Sequence, residues 1–278
     1  MPNHIDPAAL MRRFRLAALL LLLLLLTACS TAKVGSLPAR SGTAAMPRPP
    51  VPGEKWSRKV IDPTKPSKGT VVLVHGIFGC GRQMAPIAEF LEARGYQCLT
   101  PELTPSGAGL GLRDLALKLD GQIKAGMPPS EHFAMIAYSM GGLVSRDYLQ
   151  NLGGAPRCKR FFTLSTPHHG TLVGNLYWGQ GAWEMRRNSE FLRQLNASEG
   201  LFGKNKIPAT SYRTPLDLVI VPSTSSDWDV ASNLVDWQLA HPLMPHSTRI
   251  QKDILRRMEG NGDSIESDPL QSPSGYRQ

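Results

Sequence analysis

A serine set among small residues, where an apolar run gives way to a helix-length pattern, is the sharpest chemical feature of the chain. In Ala137-Tyr138-Ser139-Met140-Gly141-Gly142 the apolar run His132–Ala137 leads directly into Ser139, and the stretch Gly141–Leu152 follows. A serine hydroxyl is a poor nucleophile at neutral pH, so it needs a base to take its proton and an acid to orient that base. A second cluster, His75-Gly76-Ile77-Phe78-Gly79, follows the apolar run Thr70–Val74. Glycines there let the main chain turn so that an N–H can face a developing oxyanion. Beyond Ser139, the candidates for acid are Asp217, Asp227 and Asp229, and those for base are His241 and His246.

These residues need a frame, and from Gly69 onward the chain alternates short apolar runs with amphipathic stretches. Strands are expected at Thr70–Val74, Tyr96–Thr100, His132–Ala137, Arg160–Ser165 and Leu216–Val221, with a weaker one near Leu234–Leu239. Helices are expected at Met84–Arg94, Leu110–Ile123, Gly141–Leu152 and Ser247–Met258. Such alternation implies a mostly parallel sheet covered by helices on both faces. Ligands of such sheets bind at the carboxyl ends of the strands. Between Gly170 and Ala209 lies an insertion rich in Leu, Trp, Phe and Met, too apolar for a solvated loop. It reads as a cap over an acyl pocket, a helical insert against the sheet edge, or both.

The serine segment resembles the G-x-S-x-G nucleophile elbow of the α/β-hydrolases, with Ala137 in place of the first Gly. His75-Gly76-Ile77-Phe78-Gly79 resembles the H-G-x-x-G oxyanion loop of lipases and esterases. Ser165-Thr166-Pro167-His168-His169-Gly170-Thr171 is similar to the T-P-H-x-G segment of bacterial triacylglycerol lipases and of the GPI inositol-deacylase-like hydrolases. Their M-x-x-x-S-x-F-L-x-x-L helix is similar to Met185–Leu195. The resemblance spans Thr70 to Met258 and implies an α/β-hydrolase fold with a helical cap insertion at about residues 170–210. By the family's chain order of Ser, acid and His, it implies Ser139 as nucleophile, Asp227 as acid and His246 as base. Asp227 is favoured over Asp229 because it stands three residues before Val230, and Asp217 is read as lying inside a strand. His246 is favoured over His241 because it enters the closing helix in Pro245-His246-Ser247, resembling the family's G-H-S ending. The N–H groups of Ile77 and Met140 are the implied oxyanion donors, with His75 supporting that loop. No metal or cofactor is expected: His168 and His169 are adjacent and point apart, and Gly107-Ala108-Gly109-Leu110-Gly111 lacks dinucleotide spacing.

The amino terminus carries a different signal. Arg12, Arg13 and Arg15 precede an apolar run, Leu16–Leu26, too short for a comfortable membrane span and suited to an export signal. Leu26-Thr27-Ala28-Cys29 resembles the bacterial lipobox, which implies cleavage before Cys29 and its acylation. Residues 1–28 are thus read as a signal peptide, 29–55 as a flexible tether rich in Ala, Ser, Gly and Pro, 56–260 as the hydrolase domain and 261–278 as a disordered tail. Ser30 after the Cys resembles the pattern that sends lipoproteins to an outer membrane. Cys80, Cys98 and Cys158 then lie in an oxidising compartment, where a bridge between Cys80 and Cys98 is open.

Thirty-one basic against 22 acidic residues give a net charge of +9, spread without a long run of like charge, which argues against a nucleic-acid partner. No obligate protein partner is inferred. The expected function is ester hydrolysis through an acyl-enzyme, on an ester or lipid substrate, by a lipase or esterase held on the bacterial envelope membrane through Cys29. Acyl transfer or phospholipase chemistry with the same triad, and a non-catalytic lipoprotein scaffold, are the alternatives.

Overall fold

A computed structural model describes residues 60–203, 206–237 and 240–260. The signal peptide, Cys29, the tether and the tail lie outside the described residues. Six strands form one sheet: β1 Thr70–Val74, β2 Gln97–Leu99, β3 Phe133–Tyr138, β4 Cys158–Leu164, β5 Ala209–Arg213 and β6 Ser232–Val235. Their order across the sheet is β2-β1-β3-β4-β5-β6, and every neighbouring pair is parallel. Six helices accompany them: α1 Ala85–Glu92, α2 Leu112–Gly126, α3 Met140–Asn151, α4 Gln180–Glu184, α5 Glu190–Ala197 and α6 Thr248–Met258.

The central strands are apolar because both faces are covered. All residues of β1 (Thr-Val-Val-Leu-Val) and of β3 (Phe-Ala-Met-Ile-Ala-Tyr) are buried, as a parallel sheet between two helical layers requires. Removing a side chain such as Leu73 or Ile136 to Ala would cost about 2–5 kcal/mol through lost transfer energy and a cavity. The α3 helix passes under the sheet with every residue from Met140 to Leu149 buried. Helix starts follow local chemistry: Ser189 and Ser247 each accept the N–H three residues on, from Leu192 and Ile250, and so cap α5 and α6. Ser247 also donates to Asp236 at 2.7 Å, which ties the start of α6 to the end of β6.

The elements up to β4 agree with the sequence expectation to within a few residues. Beyond β4 one expectation fails: Leu216–Val221 is not a strand. The strand is the more polar Ala209–Arg213, bracketed by Pro208 and Pro215. The polar residues Thr210, Ser211 and Tyr212 are buried, and Ser211 is satisfied internally. Thr163 on β4 donates to the Ser211 hydroxyl at 3.0 Å, and Ser211 donates to the Ser226 carbonyl at 2.6 Å. Leu216 and Leu218 are instead 56% and 69% exposed. Cys80, Cys98 and Cys158 are thiols, with no bridge between them.

Candidate active site

The turn from β3 into α3 places Ser139 at φ 54°, ψ −127°, a left-handed conformation that side chains rarely adopt. Such strain is held by tight surroundings. The Ser139 N–H donates to the Leu164 carbonyl at 2.8 Å, and the Thr166 hydroxyl donates to the Ser139 carbonyl at 3.0 Å. A Cβ at Gly141 would stand 2.3 Å from the His75 carbonyl oxygen, and one at Gly142 would stand 2.0 Å from the Thr166 hydroxyl. The small residues after the serine are therefore steric requirements of helix α3 passing between two loops.

Two groups from later loops meet this serine. The Ser139 hydroxyl donates to His241 Nε2 at 3.0 Å, and His241 Nδ1–H donates to Asp217 Oδ2 at 2.7 Å. All three are at most 5% exposed. The other oxygen of Asp217 accepts the N–H groups of Val219 and Ile220 at 2.9 and 2.8 Å, so the carboxylate closes its own loop while it faces the imidazole. Burial opposes its charge, but the charge and hydrogen bond of His241 and the Ile220 N–H outweigh burial and hold the carboxyl below its ordinary value. Tyr138, the residue before Ser139, donates to the His241 carbonyl at 3.1 Å and fixes the imidazole loop from the sheet side.

The loop after β1 approaches from the opposite side. A Cβ at Gly76 would lie 3.0 Å from the Ser139 Cβ, a tight approach, so glycine lets this main chain pass close to Ser139 without pushing it aside. His75 is fully buried, accepts the Leu103 N–H on Nε2 at 2.9 Å and contacts the Gly76 carbonyl through Nδ1 at 2.9 Å. Accepting on Nε2 makes Nδ1 the protonated nitrogen. Burial pushes its pKa down to about 4, against the opposing effect of the Gly76 carbonyl, so the ring is neutral. Gly76 and Phe78 spend their N–H groups on Gln83 and on the Ser106 carbonyl. Among the described residues the N–H groups of Ile77 and Met140 have no protein acceptor.

Asp227 and His246 do not join this constellation. Asp227 accepts from Arg213 Nε at 2.7 Å in a half-exposed ion pair, beyond the turn Ser223–Ser226. His241 and His246 are the two ends of one short 3-10 turn, and it buries the first against Ser139 and leaves the second exposed in front of α6. The physical reason is the position of β5. Once the strand is Ala209–Arg213, Asp217 is the first carboxylate in the loop after it. His241 likewise lies in the loop after β6, ahead of the helix entry where His246 stands. The proline brackets around β5 were the available signal, together with the fit of an Asp to an N-terminal turn at Asp217-Leu218-Val219-Ile220.

No protein-family model matches the chain, and no curated protein matches it in sequence. Solved structures do match. The lipase BlEst2 of Bacillus licheniformis in its mature form aligns with 73% of this chain and 97% of its own, at 16% identity and a TM-score of 0.58. Lipase B of Aspergillus fumigatus aligns over 73% of this chain and 56% of its own, at 15% identity and a TM-score of 0.59. The chain has the α/β-hydrolase fold. Within that fold the chain order of the assembled side chains is Ser139, Asp217, His241, which is the order of nucleophile, acid and base in α/β-hydrolases.

Behind the elbow of this hydrolase fold, His168 and His169 part company, His168 fully buried and His169 exposed. His168 stacks on Trp228 at 4.5 Å and 14°, and accepts from Arg146 at 3.2 Å on Nδ1. Its Nε2–H then faces the Thr163 hydroxyl at 3.0 Å. Arg146 on α3 also reaches Glu199 and the Leu195 carbonyl, both at 3.2 Å, and Glu199 accepts the Trp228 indole N–H at 2.8 Å. Burial, reinforced by Arg146 and His169, drives the His168 pKa well below its usual value, which suits a neutral ring between donor and acceptor. The T-P-H segment is thus a clip that joins α3 to the helices between β4 and β5.

Proposed function

We propose that the protein is a serine carboxylic-ester hydrolase working through an acyl-enzyme. The observation that carries this reading is the continuous relay from Ser139 Oγ through His241 to Asp217, at 3.0 and 2.7 Å. Ser139 Oγ attacks the ester carbonyl carbon while His241 Nε2 takes the hydroxyl proton. Asp217 holds the ring in the Nδ1–H tautomer and stabilises the imidazolium that forms. The carbonyl oxygen, now an oxyanion, accepts from Ile77 and Met140 N–H, a contribution of about 10²- to 10³-fold in rate per donor. Collapse of the tetrahedral intermediate breaks the bond to the leaving oxygen, and His241 returns the proton to the departing alcohol. Water, deprotonated by the same imidazole, then attacks the acyl-enzyme and regenerates Ser139.

Apolar esters are the favoured substrates. Exposed large apolar residues are concentrated on the loops that follow β4, β5 and β6: Leu172, Leu176 and Trp178, then Leu216 and Leu218 on either side of the acid, then Leu243 two residues past the base. Their exposure in the loops that carry the acid and the base fits contact with an acyl chain better than contact with water. The lipobox at Leu26–Cys29 extends the reading to an enzyme held on the bacterial envelope by acylated Cys29. Two or three acyl chains, at about 0.8 kcal/mol per buried methylene, suffice to hold a protein on a bilayer.

The test is labelling by a fluorophosphonate probe together with hydrolysis of p-nitrophenyl esters of graded acyl length. Wild type should label and turn over, with kcat/KM rising with chain length, and Ser139→Ala should do neither while keeping its fold. Turnover retained by Ser139→Ala would refute the assignment. Mass spectrometry of the mature amino terminus tests the anchor, which predicts a diacylglyceryl-modified Cys29.

A further inference from the structure

The turn after β1 holds a bulky residue where glycine is expected. The Gly79 N–H donates to the Gly76 carbonyl at 3.3 Å, and of the two residues between them only Phe78 has a positive φ, 54°. That is a type II turn, whose third position normally takes glycine because a Cβ there is strained. The turn matters because the Gly76–Ile77 peptide is planar and trans, so whatever holds the Gly76 carbonyl aims the Ile77 N–H the other way. His75 Nδ1–H, at 2.9 Å, and the Gly79 N–H share that carbonyl, and the Gly76 N–H is tied to Gln83 at 3.0 Å.

Phe78 joins this turn to two other segments. Its N–H donates to the Ser106 carbonyl at 2.9 Å, and its ring lies so near the following residue that a Cβ on Gly107 would stand 3.3 Å from it. The ring centroid is 5.8 Å from that of half-buried Tyr177, in the segment that leads from β4 into α4. That segment is clamped to the same loop: the Gly181 N–H donates to the Ala108 carbonyl at 3.1 Å, and a Cβ at Gly179 would stand 2.4 Å from that oxygen. We propose that Phe78 is a positioning residue for the oxyanion donor: its ring, held by Gly107 and Tyr177, keeps the strained turn in the form that aims the Ile77 N–H. Glycine at this position would make the turn freely, so the strain is accounted for by the contacts of the ring. The insertion between β4 and β5 thereby sets the oxyanion side of the site through Tyr177. This proposal rests on the hydrolase reading and deepens it.

Phe78→Ala and Tyr177→Ala each remove one member of the ring pair, the second without altering the turn itself. Both should lower kcat on the order of tenfold, short of the roughly 10²- to 10³-fold that loss of an oxyanion donor brings, with KM within about twofold. Because the two rings act on each other, the double variant should fall no further than the worse single one. Tyr177→Phe, which restores a ring, should recover kcat. A trifluoromethyl ketone gives a readout without turnover: Ser139 Oγ adds to its carbonyl carbon, the hydroxyl proton passes to His241, and the resulting oxyanion takes the N–H donors. Its Kd should rise in both alanine variants by the factor that kcat falls. A raised KM with kcat and ketone affinity unchanged would make Phe78 a wall of the substrate site, and additive losses in the double variant would separate it from Tyr177; either result overturns the proposal. A wild type that binds the ketone but turns over no ester counts against the ester substrate alone, since the ketone still reads Phe78. One that fails to bind the ketone refutes the hydrolase reading and this proposal with it.

Discussion

The two halves of the sheet present their chemistry in opposite ways. In the first half β1 and the central strand β3 are almost wholly apolar, glycines stand in the loop after β1 and at the turn after β3, and Ser139 is announced by what surrounds it. From β5 to β6 the strands are Ala-Thr-Ser-Tyr-Arg and Ser-Asn-Leu-Val, and the apolar run Leu-Asp-Leu-Val-Ile-Val lies in the loop that bears the acid. Apolar content follows burial in the first half. In the second half part of it follows the edge of the site, where Leu216 and Leu218 face solvent. Hydrophobicity therefore marks strands only where nothing else needs apolar side chains.

The sharpest way to break that comparison is the base. His241→Ala should lower kcat/KM on the order of 10⁵- to 10⁶-fold, since removal of the nucleophile's base leaves only binding and the oxyanion donors. His246→Ala, five residues on and exposed, should leave kcat/KM within about twofold. Steady-state kinetics on one short-chain ester decides between them, and the reverse ranking would return the base to the entrance of α6.

Next in size is the acid. Asp217→Asn should cost about 10⁴-fold in kcat, because the amide would favour the wrong imidazole tautomer. Asp227→Asn should cost almost nothing in rate. This pair also measures what could be read before the structure. Ser139 and the glycine loop were legible because steric demand leaves a local record: Gly141 and Gly142 stand where any Cβ would strike backbone or Thr166. Asp217 and His241 were not, because a carboxylate and an imidazole acquire meaning only from the strand ends that carry them. A strand misplaced by seven residues moves the expected acid from Asp217 to Asp227. Polar β5 escaped notice because its needs are met by partners distant in the chain, Thr163 and Ser226.

Protonation separates the halves again, at a few kcal/mol. His75 supports the glycine loop as a neutral ring, with its pKa at about 4 in the fold against about 6.5 for an unfolded His. A depressed value means that the unfolded chain binds the proton first. The stability it contributes is complete above pH 6.5 and is lost as pH falls through 6.5 toward 4, up to about 3 kcal/mol. Asp217, held below its ordinary value, behaves differently: its contribution persists down to about pH 4 and is lost only below that. Urea unfolding at pH 7, 5.5 and 4.5 should show a decline that His75→Gln reduces, the buried His168 retaining the rest. An unchanged slope in that variant would mean that His75 is charged in the fold.

The smallest effect belongs to the residue that looked most like an acid. Asp227 meets Arg213 at 2.7 Å with both side chains partly in water, and exposed pairs of this kind contribute up to about 1 kcal/mol. Asp227→Ala should therefore lower stability by less than about 1 kcal/mol, and the loss should shrink in high salt as screening removes what the pair contributed. Arg213→Ala should cost about the same, and the double variant little more than either single one, because the two side chains act largely on each other. A loss of several kcal/mol from Asp227→Ala would mean that this carboxylate anchors the loop that leads into Trp228, and that Trp228 depends on it for its place against His168 and Arg146. In that event the second half of the sheet would hold its site from the surface inward, where the first half holds Ser139 from the core outward.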